Sequence, residues 1–464
     1  MASLNAMDDT IMALATASGA GAIAVIRISG NEAFSITEKV FRAKGKKVVS
    51  KADSHTMIFG DIVDEEELVD EVLVGVFRNP KSFTGEDSVE ISCHGSIFIQ
   101  KRILNLLSKN GCRMAKPGEY TMRAFLNRKM DLSQAEAVAD LIASSSEAAH
   151  KVAMHQMRGG FSSELKVLRE ELIHFASLIE LELDFSEEDV EFADRTQMIE
   201  LINRIIATID RLVDSFELGN VIKEGVQVAI IGEPNAGKST LLNALLNEER
   251  AIVSDIAGTT RDTVEDELVI EGIRYRFIDT AGIRQTTDTI ESLGIERTML
   301  KAEQADVVMF LFDASTYTSD QVQTEINELK SRKADLENRL ILVANKTDKT
   351  SDNVELKFEG LNPISISAKE KTGIEELKIR LTQFVNLSAL EENQIIVTNT
   401  RHIEALNGAR KSLKEVLVGF DNEMSGDLVA VDIRRSLFHL GEITGEITTD
   451  DLLGNIFSKF CIGK

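Results

Sequence analysis

From residue 226 onward, short apolar-rich runs alternate with helical stretches, the runs closed by polar or glycine-rich segments. Val226-Gln-Val-Ala-Ile-Ile231, Tyr275–Ile278, Leu340–Ala344 and Pro363-Ile-Ser-Ile366 are such runs. Apolar runs of this length, alternating with helices, predict buried parallel strands. The alternation ends near Phe384. Residues 1 to about 125 differ: strand-like runs at Ala22–Ile28, Val72–Phe77 and Val89–Ser92 accompany one helical run near Ile97–Leu107, an α+β pattern. From about Leu132 to Glu217 the chain reads as helix, rich in Ala, Glu, Leu and Ile and free of proline. Helical texture returns from about Thr400. The order helix, α/β unit, helix predicts one helical domain with an α/β domain inserted into it. The expected boundaries are 1–125, 126–225, 226–384 and 385–464, the second and fourth segments forming the split helical domain.

Composition narrows the classes. The chain has 464 residues, 43% of them apolar, enough for two to four ordinary cores. No run of about 18 apolar residues occurs, so no membrane span is expected. Met1-Ala-Ser-Leu-Asn-Ala-Met-Asp-Asp9 carries acids where a secretory leader has Lys or Arg. Cys93, Cys112 and Cys461 are too few for a disulfide framework and lack zinc-ligand spacing. A reduced, cytoplasmic protein is expected. The net charge of −24 argues against wrapping nucleic acid by unaided electrostatics. The acidic stretch Glu180–Glu191 reads as a solvated helix end.

The candidate chemistry lies in the α/β unit. Gly232-Glu-Pro-Asn-Ala-Gly-Lys-Ser239 follows a strand and opens a helix, the context a phosphate-binding GxxxxGK[ST] loop requires. Asn235, Ala236, Gly237, Lys238, Ser239 and Thr240 are its candidate nucleotide contacts. Backbone N–H groups and the helix N-terminus face phosphates, Lys238 reaches the β- and γ-phosphates, and Ser239 offers a hydroxyl to Mg²⁺. Three further elements follow in order. Asp279-Thr280-Ala281-Gly282 suits a water-bridged Mg²⁺ and a γ-phosphate contact, and Asn345-Lys346-Thr-Asp348 places a carboxylate for guanine N1–H and its 2-amino group. Ser367-Ala368-Lys369 suits a loop closing over the base. All four in order predict GTP binding by a Ras-like P-loop G domain. Switch I falls in Ala251–Asp262, with Ser254, Asp255, Ile256, Ala257, Gly258, Thr259 and Thr260, the last a second Mg²⁺ ligand. Ile283 stands where Ras-type proteins carry the water-orienting Gln. Hydrolysis therefore needs another device: Asn235 holding a monovalent cation, or, more weakly, Arg284 as a finger. A loop-stabilising role for Asn235 stays open.

Beyond these motifs, the chain resembles the MnmE (TrmE) family of tRNA wobble-uridine-modifying GTPases from end to end. The resemblance rests on Arg27-Ile-Ser-Gly30, Ser82-Phe-Thr-Gly-Glu-Asp87, Pro117-Gly-Glu-Tyr120, Arg123-Ala-Phe-Leu-Asn127 and Gly232–Ser239. Further segments are Asp255–Asp262, Gly294-Ile-Glu-Arg297, Asp450–Gly454 and Phe460-Cys-Ile-Gly-Lys464. It implies a homodimer whose small N-terminal α+β domain binds 5-formyl- or 5,10-methylene-tetrahydrofolate. It implies an FAD-dependent partner, MnmG, with which a (carboxymethyl)aminomethyl group is attached to C5 of wobble uridine in certain tRNAs. Carried over by motif, folate contacts fall on Arg27, Glu90, Lys129 and Lys464. K⁺ contacts fall on Asn235, Ser254, the Ile256 backbone and Thr259, and Glu291 matches the hydrolytic carboxylate. Cys461, in a locally basic setting with Lys459 and Lys464, is expected to be essential for tRNA modification through its thiol. The rival reading is a tail that only packs under the folate site. The family's Gly-His-Gly reads Cys93-His-Gly95 here, and Cys93 is expected to be a buried structural thiol. The competing reading is a GTP-timed RNA or ribosome assembly factor without covalent chemistry on RNA. It would predict an appended basic RNA module, and none is visible after Phe384.

Overall fold

The computed structural model describes residues 9–184, 195–249, 266–278, 305–332, 339–350, 353–384, 395–422 and 424–463. The chain divides into two compact units, one of Met1–Ala143, Ala153–Ile209 and Glu404–Lys464, the other of Ser144–Val152 and Asp210–Ile403. Among the described residues no helix is long and apolar enough to cross a membrane.

The first unit begins with a seven-stranded sheet. Its strands are β1 (Ile11–Leu14), β2 (Ile23–Ser29), β3 (Phe41–Ala43), β4 (Thr56–Asp64), β5 (Glu67–Phe77), β6 (Ser88–His94) and β7 (Arg113–Met114), in the order β3-β4-β5-β6-β2-β1-β7. All neighbours are antiparallel except β1 and β7. Alternation sets the faces. Ile58, Ile62, Val72, Val74 and Val76 join a buried cluster with Ile36 and Val40 of α1 (Ala33–Val40) and Ile103 and Leu107 of α2 (Ile97–Lys109). Met57, Phe59 and Leu73 remain exposed on the opposite face. Strand β5 starts five residues before the apolar run Val72–Phe77, because Glu67-Leu-Val-Asp-Glu71 alternates and pairs with β4 despite its acids.

Helices complete the first unit. They include α3 (Glu119–Leu126), α4 (Leu132–Ala143), the long α6 (Gly160–Asp184) and, after α5 (Glu147–Met157) and α7 (Arg195–Glu224), the C-terminal Gly426–Thr444 and Asp450–Phe457. Helix α6 packs along Gly426–Thr444. Leu132 and Ala135 of α4 form one cluster with Leu453, Phe457 and Phe460. That cluster carries the C-terminal tail back to the start of α3, where the Gly118 amide donates to the Cys461 carbonyl (3.3 Å). Gly118 has φ +65°, and a Cβ there would lie 2.6 Å from the Phe457 carbonyl oxygen.

The second unit holds a six-stranded sheet of β8 (Val226–Ile231), β9 (Asp266–Ile270), β10 (Ile273–Ile278), β11 (Val307–Asp313), β12 (Leu340–Asn345) and β13 (Ile364–Ser365). Its order is β13-β12-β11-β8-β10-β9, parallel throughout except for β9 against β10. Both faces are covered. Leu241, Leu242 and Leu245 of α8 (Lys238–Glu249) and Leu377 and Leu381 of the helix Ile374–Thr382 pack on one side. Val322, Ile326 and Leu329 of the helix Ser319–Arg332 pack on the other with Phe358. Strand β8 lies between β11 and β10, where connections leave in opposite directions, and ligands bind outside the carboxyl ends of strands at such a switch point.

A buried ion network anchors the first sheet to α3. Arg123, fully buried, donates to Asp9 (2.6 Å), Glu119 (3.1 Å) and Glu86 (3.1 Å), while Arg113 reaches Asp9 and Glu119 (2.6 Å each). Burial alone would raise the Glu119 pKa, but bonds from Arg113, the Lys116 amide and Arg123 outweigh it and hold the carboxyl below its usual range. A depressed folded-state value stabilises the fold above the ordinary carboxylate range, and that gain is lost as pH falls through the folded value. Glu119→Gln is expected to cost about 2–3 kcal/mol at pH 7, measured by urea denaturation. The gap to the unsubstituted chain should hold above the ordinary carboxylate range and narrow as pH falls below it towards the depressed folded value; a gap unchanged through that acid range would rule out an ionised Glu119.

Candidate functional site

The loop after β8 is shaped by backbone geometry. Gly232 has φ +144°, and a Cβ there would sit 2.0 Å from the Leu311 carbonyl oxygen on β11. Gly237 has φ +104°, and its Cβ would lie 2.2 Å from Asn345 Nδ2. Between them Asn235 takes the left-handed φ of +66°, a region Asn enters at less cost than most residues. The loop is thus a backbone cradle opening onto the N-terminus of α8, whose first turn carries Lys238, Ser239 and Thr240. Lys238 Nζ donates to the Gly232 and Glu233 carbonyls (2.6 and 2.9 Å). Burial pulls its pKa down, partly offset by the charge of Glu233. A phosphate would replace neutral acceptors with charged ones, which form the stronger bonds.

One side chain connects this cradle to the other loops. Asn345, at the end of β12 and 2% exposed, donates from Nδ2 to the Ala236 carbonyl (2.8 Å) and accepts at Oδ1 from the Ala368 amide (3.0 Å). Ser367 Oγ donates to Asp348 Oδ1 (2.6 Å), a bond that lowers the Asp348 pKa. Asp348 is therefore an ionised acceptor, with Ser367 itself bridged to Thr372. Lys346 has φ +63° and its Nζ meets Asp313 Oδ2 at 2.7 Å. Lys369 pairs at 3.2 Å with Glu370, both exposed, a contact of little energetic weight. The phosphate-loop, Asn345–Asp348 and Ser367–Lys369 segments thus meet at the carboxyl ends of β8 and β12. Ser254, Asp255, Ile256, Ala257, Gly258, Thr259, Thr260, Asp279, Thr280, Ala281, Gly282, Ile283, Arg284 and Glu291 lie outside the described residues, as do Lys464 and residues 185–191 of the acidic stretch.

A second cluster lies on the first sheet. Arg27 of β2 and Glu90 of β6 are cross-strand partners, and the guanidinium meets Glu90 Oε1 through Nε (2.9 Å) and a terminal nitrogen (2.8 Å). The rings of Phe83 and Tyr120 flank Arg27 at 5.6 and 5.7 Å, within cation–π range. The C-terminal tail adds the Gly463 carbonyl, 3.5 Å from Arg27 Nη1. Gly463 has φ +98°, and a Cβ there would meet the Leu14 carbonyl oxygen at 2.3 Å. Lys129 donates to the Pro80 carbonyl (2.9 Å), on the loop that carries Phe83. Cys461 is exposed, whereas Cys93 is buried, donates weakly to the Ala24 carbonyl (3.5 Å), and has its pKa pushed up to about 11 by burial.

Sequence reading did not single out Asp313, the Gly463 carbonyl, or the buried Asp70 that takes both the His94 amide (2.8 Å) and Nδ1 (2.7 Å). An acid closing the apolar run Val307–Phe312 was a signal for the first; the other two depend on tertiary placement.

Comparison with known proteins gives two family matches. The model described as the GTP-binding protein TrmE N-terminus covers residues 10–129, and the MnmE helical domain covers 132–461. The tRNA modification GTPase MnmE of Flavobacterium johnsoniae is 59% identical, spanning 98% of this chain and 99% of its own. Its namesake in Cytophaga hutchinsonii is 59% identical over 98% of each chain. That of Bacteroides thetaiotaomicron is 55% identical over 98% of this chain and 99% of its own.

Asn345→Ala leaves the buried Ala236 carbonyl and Ala368 amide without partners, each costing about 1–3 kcal/mol. GDP affinity should fall roughly 100-fold, read by titrating a fluorescent GDP analogue; a loss under threefold would refute this role of the amide.

Proposed function

The chain belongs to the MnmE family of tRNA modification GTPases, and from that premise we propose how its residues divide the work. Residues 226–384 are the inserted G domain, 126–225 and 385–464 the helical domain, and 1–125 the dimerisation and folate-binding domain. The observation that carries the nucleotide reading is the Asn345 side chain, which joins the phosphate loop to the base-side loop. Asn235 through Thr240, with Lys238 foremost, hold the phosphates; Asp348 accepts from guanine, and Ser367, Ala368 and Lys369 close over it. Ser239 and Thr260 hold Mg²⁺, with Asp279 acting through water, and Asp255, Ala257, Gly258, Thr280, Ala281 and Gly282 complete the nucleotide's surroundings. Bound Mg²⁺ and K⁺ supply positive charge where negative charge develops on the transferring phosphate. Asn235, Ser254, the Ile256 carbonyl and Thr259 hold K⁺, and Glu291 orients the attacking water, since the apolar Ile283 offers no acceptor.

The Arg27 cluster fits an anionic aromatic ligand such as a tetrahydrofolate. A half-buried cation flanked by two rings suits both a carboxylate and a ring system. Arg27, Glu90, Lys129 and Lys464 are the proposed contacts. Dimerisation is supported by the exposed apolar face of β4 and β5, where Phe59 pairs directly with Leu73 and Met57 with Gly75. Such an apolar sheet face is one on which a second copy could pack. The FAD-dependent MnmG partner completes the attachment of the (carboxymethyl)aminomethyl group to tRNA and supplies much of the tRNA grip, in keeping with the charge of −24. Cys461 is the proposed reacting thiol. Its support is exposure beside a backbone anchored at Gly118, with Gly463 at the Arg27 cluster.

Two experiments test this reading. GTP hydrolysis in KCl should exceed that in NaCl or LiCl at equal ionic strength by about tenfold or more. Because Asn235 occupies a left-handed position, Asn235→Gly keeps the backbone relaxed and should abolish the K⁺ advantage with GDP affinity little changed. Equal rates in all three salts would end the K⁺ proposal. Cys461→Ser should abolish wobble-uridine modification, assayed by mass analysis of tRNA from cells carrying only the variant, with GTP hydrolysis retained. Normal modification would leave the tail a structural role only.

A further inference from the structure

Among the lysines of the nucleotide loops, Lys238 bonds to main-chain carbonyls of its own loop, Lys369 makes only an exposed pair with Glu370, and Lys346 is held by a largely buried carboxylate. That carboxylate, Asp313, closes β11, and in the parallel register of β11 and β12 it stands opposite Asn345. Its two oxygens are divided. Oδ1 accepts from the Ser315 amide (3.0 Å) and hydroxyl (2.6 Å), and Oδ2 from Lys346 Nζ (2.7 Å). The Ala314 amide donates to the Asn345 carbonyl (2.9 Å), so the two chain segments are also locked through their backbones. The Asp313 and Lys346 side chains are only 15% and 23% exposed. Burial would raise the Asp313 pKa, but the bonds from Lys346 and Ser315 outweigh it and keep the carboxyl ionised.

We infer that Asp313 is a positioning residue for guanine-nucleotide binding, holding Lys346 by its ammonium so that its methylene stem stays fixed beside the nucleotide. The inference rests on the reading of Asn345–Asp348 as the base-side loop. A lysine stem loses considerable rotamer freedom when it is ordered. With Asp313 in place that loss is met on folding, before any ligand arrives, which is preorganisation. The same pairing neutralises the Lys346 charge, so Lys346 does not compete with Lys238 for the phosphates. Asp313 touches no nucleotide atom in this scheme. It acts through Lys346.

The sign of one effect separates positioning from simple charge. A carboxylate near a polyanionic ligand repels it, so deleting Asp313 as a mere charge would tighten nucleotide binding, and GTP more than GDP. Deleting it as a positioner would weaken both equally. The experiment titrates fluorescent GDP and a slowly hydrolysed GTP analogue against the full chain carrying Asp313→Ala, Asp313→Asn, Lys346→Ala or the Asp313→Ala/Lys346→Ala pair. Asp313→Asn keeps the shape and the acceptor oxygen, which guards against a folding defect. The expected result is about a tenfold loss for Asp313→Ala with both nucleotides, and a smaller loss for Asp313→Asn. KM for GTP should rise while turnover at saturation holds within twofold. In the double variant, Asp313→Ala should add less than twofold to Lys346→Ala, as coupled partners do. Unchanged or tighter binding by Asp313→Ala, with Lys346→Ala still weakened, would overturn the inference and leave the base-side reading standing. A Lys346→Ala variant that binds normally would overturn both.

Discussion

A single buried amide governs the nucleotide half of this protein. Asn345 sits where β12 leaves the sheet, and the donor and acceptor ends of its side chain are spent on two different loops. Neither the Ala236 carbonyl nor the Ala368 amide belongs to regular secondary structure, so each needs a partner from elsewhere. An aliphatic residue could serve neither group, and aspartate could not donate. The close fit at Gly237, where a Cβ would strike this amide, shows that the phosphate loop is built against it. The geometry of the cradle therefore depends on a residue two strands away in the sheet.

The same economy of contacts appears in the first unit, with charge in place of a neutral amide. Arg123 is fully buried and meets three carboxylates, each of them shared: Asp9 and Glu119 with Arg113, and Glu86 with the Ser29 hydroxyl. A buried guanidinium has several donors to satisfy in a fixed plane. It consequently fixes the loop of Glu86, the start of β1 and the helix α3 relative to one another. That loop carries Phe83 to the Arg27 cluster, so the ordering of a ring beside Arg27 is traceable to a charge network deeper in the domain.

How much of this was legible in sequence follows from local chemistry. The strands β8 and β12 are apolar-rich runs and were read as strands, whereas β11, apolar from Val307 to Phe312, was not singled out; β9, Asp-Glu-Leu-Val-Ile, is a short edge strand whose acids hide it. In the first domain β4 was obscured by Gly60 and Asp61. The glycine is required there because a Cβ would meet the Arg42 carbonyl oxygen at 2.3 Å, a close approach set by β3. Motif residues of the nucleotide loops were readable because their spacing is local. The bond between Lys346 and Asp313 was not, because it exists only once β11 lies beside β12. Arg27 and Glu90 were named from family resemblance, and their direct pairing came only with the β2–β6 register.

The contact between Arg27 and Gly463 spans 436 residues of chain, and this separation has a consequence for biosynthesis. At translation rates of about 5–20 residues per second, Gly463 is made roughly 20 to 90 s after Arg27. The first sheet, whose strands all lie before residue 115, has its full sequence long before then. During that interval the nascent chain presents Arg27, Phe83 and Tyr120 without the tail segment that later covers part of them. A small-molecule ligand suited to this cluster would find it open on the ribosome and partly roofed afterwards. The order of synthesis therefore leaves the Arg27 cluster without its Gly463 contact until the tail segment is made.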